Sequence, residues 1–194
     1  MQALVQAWEP GSLGGRALAN ILAGKVNPSA KLPISIPRHS GQIQMIYNHK
    51  PSQYFHKYID GPSTPLYPFG FGLSYTRFAY SSLKLSHTRI SDKDSFTASI
   101  ELTNVGDREG TEVVQLYIRD IYSSATRPVK ELKDFARVTL KPGEKKTVTF
   151  TVTPDKLAYW NRNMQYGVEK GEFEIMIGSS SHDKDLKKVI MKVL

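Results

Sequence analysis

The sequence contains no cysteine. Disulfides are excluded, and so is a zinc centre built on thiolates. It also lacks any apolar run approaching the ~20 residues that span a bilayer, so no membrane span is expected. The opening residues, "MQALVQAWEPGS", have no basic stretch and no small-residue cleavage site behind a long apolar core. No export signal is therefore expected in the chain as given, which says little about a longer parent. The histidines (His39, His49, His56, His87 and His182) stand too far apart for paired zinc ligation, and no metal or cofactor is expected. A phosphate loop is missing: "GFGLSY" has no helix pattern behind it and no Lys-Ser/Thr ending. "PGSLGG" sets Ser12 between a strand and a helix, but the G-x-S-x-G spacing of a nucleophile elbow is not met. There is no internal repeat and no low-complexity tract.

What is present is ordinary for a globular chain: 40% hydrophobic and 23% charged residues in 194. The net charge of +8 raises the question of an acidic partner. The cations are scattered among acids, as in "KPGEKK" and "HDKDLKK", which reads as a solvated surface. Aromatic and basic residues do not interleave as in RNA-recognition segments, and no nucleic-acid partner is expected.

Three zones follow along the chain. Residues 1–40 read as a strand, a helix and an extended exit. "ALVQAW" (Ala3 to Trp8) suits a buried parallel strand. Ser12 is the expected N-cap of the helix. Leu13, Ala17, Leu18, Ile21 and Leu22 share one face, and Gly24 with Pro28 ends it. "KLPISIP" can be extended but not central in a sheet. One strand and one helix cannot bury both their faces, so this zone is expected to be the C-terminal remnant of an α/β domain. The missing strands come from another chain, or this is a fragment; we favour the fragment.

Residues 41–78 are expected to form a junction that wraps over a surface. Its last part, "GPSTPLYPFGFGLSYTRF", holds three Pro, three Gly and five aromatics. The Pro and Gly forbid a long helix or central strand. The aromatics are wrong for a disordered linker. Residues 79–194 read as an antiparallel β-sandwich of about seven strands. "SFTASIELTN" alternates Phe96, Ala98, Ile100 and Leu102 against polar residues. Val114, Leu116 and Ile118, then Val148, Phe150 and Val152, then Phe173, Ile175 and Ile177 make further inward faces. "PDKLAYWN" is expected to hold one short helical turn.

Three residues are candidate substrate contacts. Glu9 stands at the carboxyl end of the expected strand, where α/β sheets bind ligands; the alternative is a solvated loop acid. Asp60 is either a substrate contact or an Asx-type loop organiser. Tyr67, with Phe69, Phe71 and Tyr75, can stack on sugar faces or form an interface core.

Four segments, in order, resemble the C-terminal part of glycoside hydrolase family 3, the β-glucosidase and β-xylosidase family. "AWEPGSLGGRALANILAGKVNPSAKLPISIPRHSGQI" is similar to the last strand and helix of its α/β sandwich domain. "PLYPFGFGLSYTRF" is similar to its junction signature. "SIELTNVGDREGTEVVQLYIRD" and "RPVKELKDFARVTLKPGEKKTVTFTV" resemble its fibronectin type III-like domain. The resemblance runs from Ala3 to about Gly178. It implies a mainly β fold: an immunoglobulin/fibronectin III-like antiparallel sandwich preceded by an α/β remnant. It also implies retaining hydrolysis, which needs two carboxyls about 5–5.5 Å apart, one of them kept protonated by its surroundings. In the family these come from the barrel domain and from the upstream part of the α/β domain. Neither segment matches here, so no catalytic residue is assigned. The family often has an acid and Gly-Gly after "PG"; this chain has "PGSLGG", with Glu9 ahead of the Pro.

The expectation is a C-terminal fragment of a β-glycosidase acting on terminal β-linked glucose or xylose, inactive alone. Its partner would be a β-linked oligosaccharide, met through the missing catalytic domains. The parent would be periplasmic, secreted or cytoplasmic, and its oligomeric state is open. The alternatives are a carbohydrate-binding module, with the aromatics as its platform, and a structural spacer.

Overall fold

The computed structural model describes residues 4–42, 44–51 and 61–194. The segment expected to be a buried strand is neither buried nor in a sheet over its described part, residues 4–8. Leu4 is 60% exposed and Trp8 54%. The physical reason is that strand pairing needs a neighbour, and no described strand lies beside it.

Helix α1 spans Gly14–Leu22. Its N-cap is Leu13, without a side-chain cap bond, rather than Ser12. A backbone turn takes the place of the hydroxyl cap: Gly11 adopts φ +70° and its carbonyl accepts from the Gly14 N–H at 3.1 Å. The C-terminus ends as expected. Gly24, at φ +69°, donates to the Ile21 carbonyl while Lys25 donates to Asn20, the paired bonds of a Schellman motif. The apolar face of α1 is largely uncovered, with Leu13 and Leu22 exposed.

After α1 the chain runs extended through residues 31–36, antiparallel to the aromatic junction. Leu32 donates to Phe71, Gly70 to Leu32, and Ile36 to Tyr67, each at 2.8 Å. The prolines leave only an isolated bridge, Ile36 with Tyr67, in place of a ladder.

The rest is a two-sheet sandwich. Strands β1 (Phe78–Leu85), β3 (Phe96–Asn104) and β6 (Lys145–Val152) form one sheet in the order β1-β3-β6. The other is β2-β10-β9-β4-β5, from β2 (Arg89–Ile90), β4 (Gly110–Asp120), β5 (Glu131–Leu140), β9 (Gly171–Gly178) and β10 (Leu186–Val193). A small hairpin, β7 (Tyr159–Trp160) with β8 (Tyr166–Gly167), follows the short helix α2 (Pro154–Leu157). Pro154 supplies its fixed φ in the first turn, as expected, and Leu157 plugs the core at 1% exposure.

The core lies between the sheets. Phe96, Ile100, Val114, Leu116, Phe150, Val152, Phe173, Ile175 and Ile177 are among its buried members. These are the inward residues of the alternating runs. Full burial of each such side chain stabilises by about 1.5–3 kcal/mol.

A second, smaller cluster covers the outer face of β4 and β9. Tyr117, Met176 and Leu186 are buried there beneath Tyr47 and Phe69. Tyr47 stacks on Phe69 with centroids 4.1 Å apart and meets Tyr117 edge-on at 5.9 Å. The junction therefore packs onto the sandwich and makes β4 a strand buried on both faces.

Candidate functional site

Of the three candidate contacts, Glu9 lies exposed on the loop before α1, and its carboxylate makes no hydrogen bond or ion pair among the described residues. Asp60 lies outside the described residues. Tyr67 is half-buried, and its ring stacks on Phe71 with centroids 5.4 Å apart at 20°. No bond joins Glu9 to Tyr67. What the structure brings together instead is a set of polar residues that hold the junction to the sandwich.

The tightest point is Gly70. It adopts φ +77°, a left-handed conformation that favours glycine. A Cβ here would press into Gln115, with the side-chain Cδ at 2.9 Å and the Tyr117 hydroxyl at 3.0 Å. Gln115 is almost fully buried. Its amide donates to the carbonyls of Gly70 (3.1 Å) and Ser179 (2.7 Å), and its oxygen accepts from the Tyr117 hydroxyl at 2.5 Å. Ser181 N–H donates to the Phe69 carbonyl at 2.9 Å. Burial pushes the Tyr117 hydroxyl pKa well above its usual value, so it stays a donor.

Toward α1 the fastening continues. The Tyr75 hydroxyl donates to Ile21 O, on the last turn of the helix, at 2.8 Å. Asn27 accepts from the Ser74 hydroxyl and the Tyr75 N–H, both at 2.8 Å, and donates to Glu109 O at 3.0 Å. Lys31 pairs with Glu112 on β4 at 2.7 Å, with both side chains nearly buried. At the end of the junction the Thr76 hydroxyl donates to Asn104 at 2.7 Å. Asn104 also accepts from Gly106 N–H and donates to Arg108 O and Leu140 O. An open polar groove of about 470 Å³ lies where the end of α1 meets this region, lined by Lys25, Asn27, Arg108 and Thr111 among others.

At the other end of the sandwich, the β4–β5 loop is clamped by two buried cations from "RPVK". Arg127 donates to Leu157 O (2.8 Å), Asp120 (3.3 Å) and Glu131 (2.8 Å), and lies over the Tyr159 ring at 4.7 Å. Burial raises the Asp120 carboxyl, and Arg127 opposes that rise. Lys130 reaches Ser181 O (2.9 Å) and Asp183 (2.8 Å). The Ser124 hydroxyl donates to Glu169 at 2.6 Å, and this bond is the main cause that holds the Glu169 carboxyl below its usual range. The same loop meets the junction: Val129 N–H donates to His49 O, and Leu132 N–H donates to the Tyr47 hydroxyl.

These groups position; their chemistry is hydrogen bonding within the fold. Ser124 has a carboxylate partner and, among the described residues, no histidine base bonded to it. Among the described residues no cluster of three or more His, Asp or Glu could hold a metal ion, and no helix is long and apolar enough to cross a membrane. Sequence reasoning missed Gln115, Asn104, Arg127 and Lys130. A signal existed for two of them: Gln115 interrupts the apolar run "VVQLYI", and Asn104 closes an alternating strand on its inward side.

Comparison with known proteins follows the same division of the chain. Residues 1–75 match the model described as the glycosyl hydrolase family 3 C-terminal domain, and residues 112–181 match the fibronectin type III-like domain. A periplasmic β-glucosidase of Salmonella typhimurium is 46% identical over 189 residues, 92% of this chain and 25% of that protein. A β-xylosidase of Formosa agariphila is 45% identical over 193 residues, 98% of this chain and 27% of its own. Among solved structures, a β-glucosidase from Erythrobacter marinus superposes with a TM-score of 0.92 at 43% identity, over 97% of this chain and 25% of that one. A β-glucosidase of Listeria innocua in complex with glucose gives 0.88 at 36%, over 97% of this chain and 27% of that one. The chain thus spans about a quarter of the length of the relatives it matches.

Proposed function

We propose, for a chain that belongs to glycoside hydrolase family 3 as its C-terminal portion, that it serves a retaining β-glycosidase hydrolysing terminal β-linked glucose or xylose. The observation that carries this reading is near-full-length similarity of the chain, at 45–46% identity, to a β-glucosidase and a β-xylosidase. The role of the chain is to carry α1 and the junction on a rigid sandwich and to complete the α/β domain. The uncovered apolar side chains of Leu4, Trp8, Leu13 and Leu22 support that role, since such surface is the kind that another layer covers.

On this reading the chain alone is inactive. The reaction needs two carboxyls across the sugar ring, and the family segments that supply them have no counterpart here. Glu9 and Asp60 are proposed only as sugar contacts once the catalytic body is present. Tyr67, whose ring is already engaged by Phe71, is the weaker third. The test is to assay the chain on aryl β-glucosides and β-xylosides, alone and joined to a family 3 catalytic body lacking this portion. Turnover only in the joined form is expected. Turnover by the chain alone that Glu9→Gln or Asp60→Asn abolishes would overturn the reading.

A further inference from the structure

The β7–β8 hairpin has two residues in each strand, too few to be stable alone. Its inner face is pinned. The Tyr159 ring lies under the Arg127 guanidinium, and its hydroxyl accepts from Ser124 N–H at 3.1 Å. The tip is closed by Asn161, whose side-chain oxygen accepts from the N–H groups of Asn163 and Gln165 at 2.9 and 3.0 Å. On the outer face, Trp160 and Tyr166 stand opposite each other in register. Their centroids are 5.4 Å apart, and they are 60% and 56% exposed. A rigidly held, solvated aromatic pair adds nothing to the core.

The surroundings select a ligand chemistry. The side chains of Asn163 and Gln165, in the segment that joins the two aromatics, are exposed and make no hydrogen bond among the described residues. The nearby cation Arg162 is engaged with Ser124 O at 3.0 Å. An exposed aromatic pair joined by a turn that carries free amides suits a neutral polyol, whose apolar C–H face stacks on a ring while its hydroxyls meet polar groups. A nucleic-acid strand would want a cationic groove along the aromatics. A separate protein partner would want roughly 800 Å² of matched surface on each side.

We propose that Trp160 and Tyr166 form a glycan-binding platform that takes a β-linked glucan or xylan chain. The choice of β-linked chain rests on the proposed glycosidase reading.

The test uses the whole chain in a Trp8→Phe background, so that Trp160 is the one indole reporter. Co-sedimentation with insoluble β-1,4-glucan and β-1,4-xylan, and fluorescence titration with their pentasaccharides, are expected to show binding. Amylose serves as the α-linked control and is expected not to bind. By co-sedimentation, Trp160→Ala and Tyr166→Ala should each weaken binding about tenfold or more, while Trp160→Phe stays within a few-fold. No binding to either β-linked polymer, or binding that Trp160→Ala leaves intact, overturns the platform. The readout is independent of turnover. A joined enzyme that hydrolyses β-glycosides while the chain ignores polymer sinks the platform alone. A binding chain whose joined form cleaves no β-glycoside sinks the glycosidase reading and leaves the platform.

Discussion

Replacing Gly70 by Ala tests whether the junction is part of the folded unit. Two costs add. Alanine at φ +77° loses about 1–2 kcal/mol to left-handed backbone strain. Its Cβ also displaces Gln115, whose Cδ would stand at 2.9 Å. That strands the carbonyls of Gly70 and Ser179 and the Tyr117 hydroxyl in a buried site. One buried unsatisfied group costs about 1–3 kcal/mol, so the total is about 2–5 kcal/mol. Gly143→Ala is the matched control. It has nearly the same φ, +75°, but open space around the new Cβ, so only the strain of about 1–2 kcal/mol applies. Urea unfolding followed by circular dichroism measures both. Hydrogen exchange at the Ser181 N–H, which is bonded to Phe69 O, reports whether the junction lifts off locally before the sandwich unfolds. If Gly70→Ala matches Gly143→Ala in stability and the Ser181 amide stays protected, the junction is not locked where the structure places it and the reasoning fails.

Three more outcomes follow from the buried polar groups. Asn104→Ala leaves the Thr76 hydroxyl, the Gly106 N–H and two carbonyls without their partner, and should cost about 3 kcal/mol or more in thermal or urea unfolding. Arg127→Ala should cost about 3–5 kcal/mol, because Asp120, with a 2% exposed side chain, loses its counter-charge. NMR titration of that variant should show the Asp120 carboxyl raised further than in the native chain. For Asp183, burial raises the carboxyl, but hydrogen bonds from Lys130 and Lys188 outweigh it and hold the pKa at about 2. A depressed carboxyl adds stability above its unfolded pKa of about 4 and loses it as pH falls through the folded value. Asp183→Asn should therefore flatten the stability profile between about pH 4 and pH 2. The effect will be small, since the carboxylate is well exposed and screened.

Much of the sandwich was legible because its strands obey one rule. In "SFTASIELTN" every second residue is apolar, and β3 buries that set and leaves the other half-exposed. The same holds for β6. Where a residue's burial depends on a distant segment, the pattern was silent. Gln115 and Tyr117 look like the outward face of β4, yet both are buried, because Phe69 and Gly70 arrive from 45 or more residues away. Arg127 and Lys130 read as surface cations until Leu157 O and Ser181 O are brought to them by the fold. The N-terminal misses have a different cause. "ALVQAW" carries the apolar content of a buried strand, but a strand is a property of two segments and its neighbour is not among the described residues. Ser12 is a good capping residue displaced by Gly11, whose positive φ lets the backbone make the turn itself.

This bears on where the sandwich ends. A boundary drawn at the first strand, near Phe78, follows the change from irregular to alternating sequence. The packing does not change there. Tyr47 and Phe69 lie over Tyr117 and Met176, Gly70 touches Gln115, and Thr76 completes Asn104. A sheet with one face on the core and the other solvated carries polar residues outside; β4 and β9 instead place Tyr117 and Met176 there, both fully buried. The outer face of the five-stranded sheet was thus built to be covered, and the segment that covers it is also tied to α1 through Tyr75 and Asn27. A displacement of α1 would strain the Tyr75–Ile21 bond and, through the extended pairing of residues 31–36 with the junction, reach Gly70 and β4. The sandwich and α1 are therefore tied through the junction by a continuous set of hydrogen bonds, so a boundary near Phe78 divides the sequence pattern and not the packing.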